Sequence, residues 1–159
     1  MKTHFLFPNS FKKIGWLLFV PSITLTIVFL TVETNIDSYF NVTTFAIYQE
    51  TISQKPDFFS LIENNILDEI LTFGMIIGGI LIGFSKQKNE DEYISKIRYE
   101  SLVWATYLNY GLILFFTAFV FGMPYLNVLF HNMFTLLLFF IIRFHYKIYQ
   151  LNKATHDDE

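Results

Sequence analysis

Apolar residues gather in long stretches free of charge, and polar residues mark the breaks between them. The stretches are Ile14–Val32, Ile70–Ser85 and Ser101–Ile142. A helix needs about 20 apolar residues to cross a hydrocarbon core of roughly 30 Å, so the third stretch is long enough to cross twice. Gly122-Met123-Pro124 interrupts it and indicates a turn. The pattern predicts an all-α membrane protein, a four-transmembrane-helix bundle with a small periplasmic loop.

We expect residues 1–159 to form a single membrane domain. The second stretch has about 16 residues, roughly 24 Å of helix, so its span must begin before Ile70. The predicted spans are residues 14–32, 67–85, 101–121 and 125–142, with a periplasmic loop at 34–65, a cytoplasmic loop at 86–100 and a cytoplasmic tail at 143–159 that can extend the last helix.

The long loop carries two further predictions. Tyr39–Tyr48 is rich in aromatic and β-branched residues, which favours a strand or a short hairpin. After Pro56, apolar residues at Phe58, Ile62 and Ile66 have the spacing of one helix face. We therefore expect a helix there that lies on the outer leaflet or leads into the second span.

Positive charge fixes the orientation that we expect. Ten of the 11 Lys and Arg residues fall on one side of the four-span arrangement, and only Lys55 falls on the other. Because basic loops stay in the cytoplasm, the N-terminus and the C-terminus are both predicted to be cytoplasmic in a multi-pass protein of a bacterial inner membrane.

Composition narrows the function classes. The chain is 53% apolar and 16% charged, with 20 Phe and a net charge of −3, which suits a lipid-bilayer protein and gives no basic patch for direct nucleic-acid binding. The absence of Cys excludes disulfides and thiolate chemistry. Nucleotide-binding, HExxH and nucleophile motifs are also absent from the sequence, so we expect no enzyme activity, cofactor or metal.

Polar residues within spans are the first candidates for a site, because they are costly in lipid unless paired. The candidate cluster is Asp68, Glu69, Asn109, Asn127, His131 and Asn132. One interpretation is an outer-leaflet pocket of acid, His and Asn for a ligand, a proton or a weakly bound metal. The other, which we favour, is hydrogen bonding between helices.

Two more groups of residues stand out. Gly74, Gly78, Gly79 and Gly83 include two GxxxG pairs, which suit close helix packing within one chain or in a dimer. In the cytoplasmic loop, Glu90, Asp91 and Glu92 could dock a basic partner. We favour a helix start instead, with Asn89 as its N-cap and the acids complementing the helix dipole.

One family resemblance follows from the C-terminal half. The stretch FSKQKNEDEYISKIRYESLVWATYLNYGLILF (Phe84–Phe115), with Phe130-His131-Asn132-Met133-Phe134-Thr135 onward to Tyr149, resembles an uncharacterised family of small four-span inner-membrane proteins of Bacteroidetes-type bacteria. The resemblance implies no activity and no site residues. Members of that family are often encoded near small helix-turn-helix regulators, which implies a regulatory role by association alone.

We therefore expect a non-enzymatic integral membrane protein that is a regulatory or interaction component. Its partners would be the bilayer, another membrane protein or a second copy, and a cytoplasmic regulator. Two alternatives stay open: an accessory subunit of a larger membrane complex, and a small oligomeric transporter or channel.

Overall fold

A computed structural model of the chain describes residues 5–31, 40–49 and 57–157. Within them the protein is mostly helical, with four helices and one two-stranded sheet. The elements are α1 (Phe11–Thr31), β1 (Asn41–Gln49), β2 (Asp57–Asn65), α2 (Leu67–Gly83), α3 (Glu92–Phe119) and α4 (Met123–Asp157). Helices α1, α3 and α4 are long and apolar enough to cross a membrane, whereas α2 has 17 residues.

The segment after Pro56 is a strand, so the predicted helix there is wrong. Strand β2 pairs antiparallel with β1, as in Thr44↔Ile62 and Ala46↔Ser60, and β1 confirms the strand predicted before it. A spacing of four places residues on one face of a helix and equally on one face of a strand, so Phe58 and Ile62 fit both. Pairing with β1 decides between them, because it satisfies the backbone groups that the two strands direct toward each other. The protein is therefore not all-α.

Helix α2 lies between α1 and α4, and its glycines allow both contacts. A Cβ added at Gly78 would lie 2.9 Å from the carbonyl oxygen of Gly15 in α1. One added at Gly74 would also meet α1, and those at Gly79 and Gly83 would meet Leu137 and Phe140 of α4. Without side chains at these positions, the helices approach closely. The structure thus uses all four candidate glycines within one chain.

The two ends of the bundle differ. At one end, which we call the hairpin end, lie β1, β2 and the α3–α4 turn at Gly122, whose φ of 74° suits glycine. At the other, the basic end, lie the first turn of α1, the α2–α3 loop (residues 84–91) and the second half of α4. All nine Lys and Arg residues of the described ranges lie toward the basic end: Lys12, Lys13, Lys86, Lys88, Lys96, Arg98, Arg143, Lys147 and Lys153.

Buried apolar side chains concentrate toward the basic end. The larger cluster joins α3 to α4 and consists of Ile94, Ile97, Ala105, Phe140 and Phe144. A smaller one of Phe19, Ile82 and Ile141 joins α1, α2 and α4. Elsewhere the helices expose their apolar residues: only 11% of the most apolar window of α3 or of α4 is buried. Such an exterior suits lipid rather than water.

The chain before α1 docks onto the α2–α3 loop. Phe7 N–H donates to the carbonyl of Phe84 at 3.0 Å, and Lys86 N–H donates to the carbonyl of Phe7 at 2.9 Å. The amide of Asn9 also donates to the carbonyl of Lys86. These bonds fix the start of α1 beside the end of α2.

We expect Gly78→Ala to lower the free energy of unfolding by about 1–3 kcal/mol, because the new Cβ would press on the backbone of α1. The matched control is Gly111→Ala in α3, since a Cβ there has nothing within 4 Å and would stabilise the helix by up to about 1 kcal/mol. Unfolding of both purified variants in detergent, followed by circular dichroism, measures the difference. Equal stabilities would contradict the close α1–α2 contact.

Candidate functional site

The predicted intramembrane cluster separates into two pairs and two single residues. Asn109 and Asn132 form a reciprocal amide pair between α3 and α4, with both N···O distances at 3.2 Å. Asn109 is only 4% exposed. The pair satisfies both side chains across the helix seam, which is the arrangement that inter-helix hydrogen bonding requires.

Asp68 and His131 share a second place, a cavity of about 230 Å³ at the hairpin end. Thr26 and Phe29 of α1 also line it. Among the described residues no hydrogen bond or ion pair joins Asp68 to His131, whose Nδ1 lies 2.7 Å from the carbonyl oxygen of Asn127.

The other two members of the cluster lie apart from that cavity. Glu69 accepts a hydrogen bond of 2.8 Å from the amide of Asn64 and so faces the hairpin. Asn127 has an exposed side chain near the start of α4. Among the described residues, no group of three or more His, Asp or Glu side chains could hold a metal ion.

The acidic residues of the α2–α3 loop are engaged within the chain. Asp91, rather than the predicted Asn89, is the N-cap of α3, and its Oδ1 accepts from Ile94 N–H at 2.7 Å. Asp91 occupies the N-cap position because its backbone is extended and it directly precedes the first helical residue. Asn89 lies two residues earlier, in the turn. Glu90 turns inward, and Glu92 occupies the exposed first turn.

Several polar contacts converge on Arg98. Its side chain is 8% exposed and pairs with Glu90 through two bonds, Nη1 to Oε1 at 2.5 Å and Nη2 to Oε2 at 3.1 Å. Nη2 also donates to the carbonyl of Ser85 at 3.2 Å. The guanidinium lies 4.8 Å from the ring centre of Phe144 in α4. We call these four residues the arginine node.

The sequence interpretation missed the arginine node, because it used Arg98 only as a topology signal. The sequence nevertheless contains a helical pattern that points to the burial of Arg98. Ile94, Ser101 and Ala105 recur on one face of α3, and Arg98 falls on the same face. An arginine in the middle of a buried stripe must find a partner, and three acids, Glu90, Asp91 and Glu92, lie six to eight residues before it.

Glu90 is held in its charged form. Burial raises the pKa of its carboxyl, but the hydrogen bonds from Arg98 and from Gln87 N–H, with the charge of Arg98, outweigh burial and hold the pKa below its ordinary value. The Gln87 N–H bond to Oε2 is 2.7 Å long. Both oxygens of the carboxylate therefore have donors, as a mostly buried charge requires.

Several buried polar atoms near the node have no hydrogen-bond partner within the described residues. They are Arg98 Nε, Ser85 Oγ, Ser101 Oγ, Gln87 Nε2 and His145 Nε2. Ser85 and Ser101 are fully buried. Buried groups of this kind are rare in folded proteins, and each one calls for an explanation.

Two clefts open at the basic end. The larger, of about 460 Å³, lies between the start of α1, the α2–α3 loop and α4. We call it the lysine cleft, and its polar and aromatic lining includes Asn9, Lys12, Lys13, Trp16, Gln87 and Lys88. The smaller, of about 280 Å³, lies between α3 and α4 and is lined by Ser101, Arg143 and Lys147, among others. Both offer hydrogen-bond donors and positive charge.

Comparison with known proteins identifies no relative. No family model matches the chain, and neither a search of curated proteins nor a search of solved structures finds a match. The resemblance to a four-span family therefore stays a prediction.

We expect Glu90→Gln to lower the free energy of unfolding by about 2 kcal/mol at pH 7, the size typical of hydrogen bonds to a charged group. Because the pKa of Glu90 is depressed in the folded protein, its carboxylate contributes its full stabilisation above the ordinary carboxyl pKa of 4.5. That stabilisation is lost as the pH falls through the lower pKa of the folded state. The gap between wild type and variant should therefore close below pH 4.5. Denaturation in detergent across this pH range measures it.

Glu100→Gln is the matched control, because Glu100 makes only an exposed pair with Lys96 at 4.0 Å. It should cost less than about 1 kcal/mol. A gap for Glu90→Gln that stayed constant down to pH 3 would contradict the charged pair.

Proposed function

We propose that the chain is a non-enzymatic, four-span protein of a bacterial inner membrane that serves as a regulatory or interaction component, with the basic end in the cytoplasm. One observation supports the proposal: the arginine node and much of the larger buried cluster lie toward the basic end, where α3 and α4 are longer than a membrane span requires. Helix α3 has 28 residues and α4 has 35, about 42 and 52 Å at 1.5 Å per residue. A hydrocarbon core takes up roughly 30 Å.

The excess length forms a packed platform outside the membrane. Ile94, Ile97 and Phe144 are buried there, with Ile148 and Leu151 packed against them. A rigid, packed pair of helices that emerges from the bilayer presents a defined surface to another protein. It also connects that surface to the hairpin end without a break in α4.

The proposal that α2 is a fourth membrane span depends on how α2 packs against the other helices. Helix α2 runs antiparallel to α1, from Thr26 and Leu71 around one cavity at the hairpin end to Gly15 and Gly78 in contact further along. Helix α2 packs along α1, which is of spanning length, and α4 covers another side of α2. Helix α2 therefore occupies the same depth in the membrane as α1. Its length of about 26 Å is short for a bilayer but is compatible with local thinning.

The gathering of basic residues supports the orientation. All nine described Lys and Arg residues lie toward one end, which is the distribution that keeps that end in the cytoplasm.

A second function, accessory subunit of a larger complex, is favoured by Gly111. A Cβ at this position would meet nothing within 4 Å, so the surface of α3 there is open to a helix of another protein. A transporter or channel has less support, since within the described ranges no predicted span carries an acid or a base near its centre.

Single cysteines test the topology, because the natural chain has none. We expect a membrane-impermeant maleimide to label Glu63→Cys in β2 on intact cells, and to label Asn89→Cys only after the membrane is opened. Both side chains are exposed, so accessibility within the protein does not limit labelling. Labelling of both positions on intact cells would show that α2 does not cross.

A photoreactive residue tests for the partner. Tyr99 is 69% exposed on the platform, and Tyr107 is 75% exposed about 12 Å further along α3. We expect the chain with the photoreactive residue at position 99 to form a covalent adduct with another protein in its native membrane, and the chain with it at position 107 to form none. An adduct from position 107 alone would favour the accessory subunit, and no protein adduct from either position would contradict both functions.

A further inference from the structure

The polar and aromatic residues of the lysine cleft come from three separate parts of the chain, and α3 and α4 add further lining residues. Lys12, Lys13 and Trp16 come from α1, Gln87 and Lys88 from the α2–α3 loop, and Asn9 from the segment before α1. None of the described residues that line it is acidic. Lysines brought together from distant positions repel one another, so an anion between them is stabilised.

Gln87 gives a second indication that is independent of charge. Its Oε1 accepts a hydrogen bond of 3.0 Å from Lys12 Nζ, which fixes the orientation of the amide, since the reverse orientation would place a donor against the ammonium. Its Nε2 is then a buried donor without a partner in the described part of the chain. Gln87 therefore brings a buried amide donor that lacks an acceptor to the wall of a cleft that also holds ammonium groups.

A phosphate group has the matching chemistry. It carries negative charge on several strong acceptor oxygens, and lysine binds it as a point charge without demanding one geometry. A volume of about 460 Å³ is in the range of small-ligand sites and exceeds what a single ion needs.

The position of the cleft favours a lipid as the source of the phosphate. Trp16 stands at its border, with its ring held edge-on against His145 at 5.6 Å between ring centres. On the apolar side, Leu17 is 73% exposed and Ile14 is 48% exposed. Tryptophan prefers the level of lipid headgroups, and the exposed face of α1 beyond it suits acyl chains.

We propose that the lysine cleft binds a phosphate group, supplied by the headgroup of an anionic phospholipid in the leaflet at the basic end. Lys12, Lys13 and Lys88 neutralise the phosphate, Gln87 donates to one of its oxygens, and Trp16 contacts the glycerol region. Basic pockets between helices on the cytoplasmic side bind headgroups in this way.

Binding would also affect the loop. Gln87 contacts Lys12 through its side chain and donates its backbone N–H to Glu90, the partner of Arg98. A headgroup that orders Gln87 therefore stabilises the α2–α3 loop and the arginine node. Lipid bound only to the folded state raises the midpoint of unfolding with its concentration.

The test uses the purified full chain in detergent, with lipid added back. We expect phosphatidylglycerol to raise the thermal midpoint in a saturable way, and phosphatidylcholine, which has no net charge, to do much less. In the variant Lys12→Gln/Lys13→Gln/Lys88→Gln, the affinity for phosphatidylglycerol should fall about 100-fold.

The matched control is Lys96→Gln/Lys147→Gln/Lys153→Gln, which removes the same charge from the basic end outside the lysine cleft. It should retain most of the wild-type affinity. If the first variant fails to fold, Lys13→Gln/Lys88→Gln keeps the Lys12–Gln87 bond and should weaken binding about 30-fold.

Inorganic phosphate separates the two sources. If it leaves the midpoint unchanged while phosphatidylglycerol raises it, the source is lipid. If it raises the midpoint equally and the same lysines are required, the cleft is a phosphate site filled from solution. Equal loss of lipid affinity in the cleft variant and in the matched control, or no loss in either, would overturn the proposal.

Discussion

The burial of one guanidinium governs the basic end of this protein. A charge out of water needs a counter-charge and hydrogen bonds, or it costs several kcal/mol. Arg98 obtains them from the α2–α3 loop, which supplies the carboxylate of Glu90 and the carbonyl of Ser85, and it lies against Phe144 of α4. The loop that joins α2 to α3 is folded over the guanidinium as a result. The segment before α1 then pairs with the same loop at Ser85, so four parts of the chain meet around a single side chain.

The rest of the bundle follows a different rule. Away from the basic end, helices meet through small residues and expose their large apolar ones, as in Gly74 against Ser22 and in the outward-facing Phe115 and Leu114. In a bilayer, apolar side chains gain little by leaving lipid, so close backbone packing and an occasional amide pair such as Asn109–Asn132 hold the helices together. Within the described residues, the larger buried cluster lies toward the basic end, and its part beyond the expected spans forms the platform of α3 and α4.

Hydrophobic pattern alone locates the helices, and the Gly122 turn and the long α4 follow from it, because a span has few ways to satisfy its backbone in lipid. The pattern fails where two structures share one signal. A spacing of four between Phe58 and Ile62 fits helix and strand alike, and only the partner strand β1 decides. The pattern also fails at Arg98. A charged residue near the end of a span can set the orientation in the membrane and can also be buried, and the hydrophobic pattern does not distinguish these two roles. Asp68 and His131 do line one cavity, but Glu69 does not face it, because a side chain one position away points to another side of the helix.

The lysine cleft and the arginine node are two parts of one hydrogen-bonded path. From Lys12 the path runs through the Gln87 side chain, then through the Gln87 backbone to Glu90, and then to Arg98 between α3 and α4. A ligand changes a protein only by as much as it prefers one arrangement over another. A phosphate in the cleft prefers the arrangement in which the loop is closed, because only then do Lys12, Lys88 and Gln87 lie together. The closed loop is also the one that supplies Glu90 to Arg98 and so keeps the platform packed. Lipid composition on one side of the membrane thereby acts on the surface that we propose for partners.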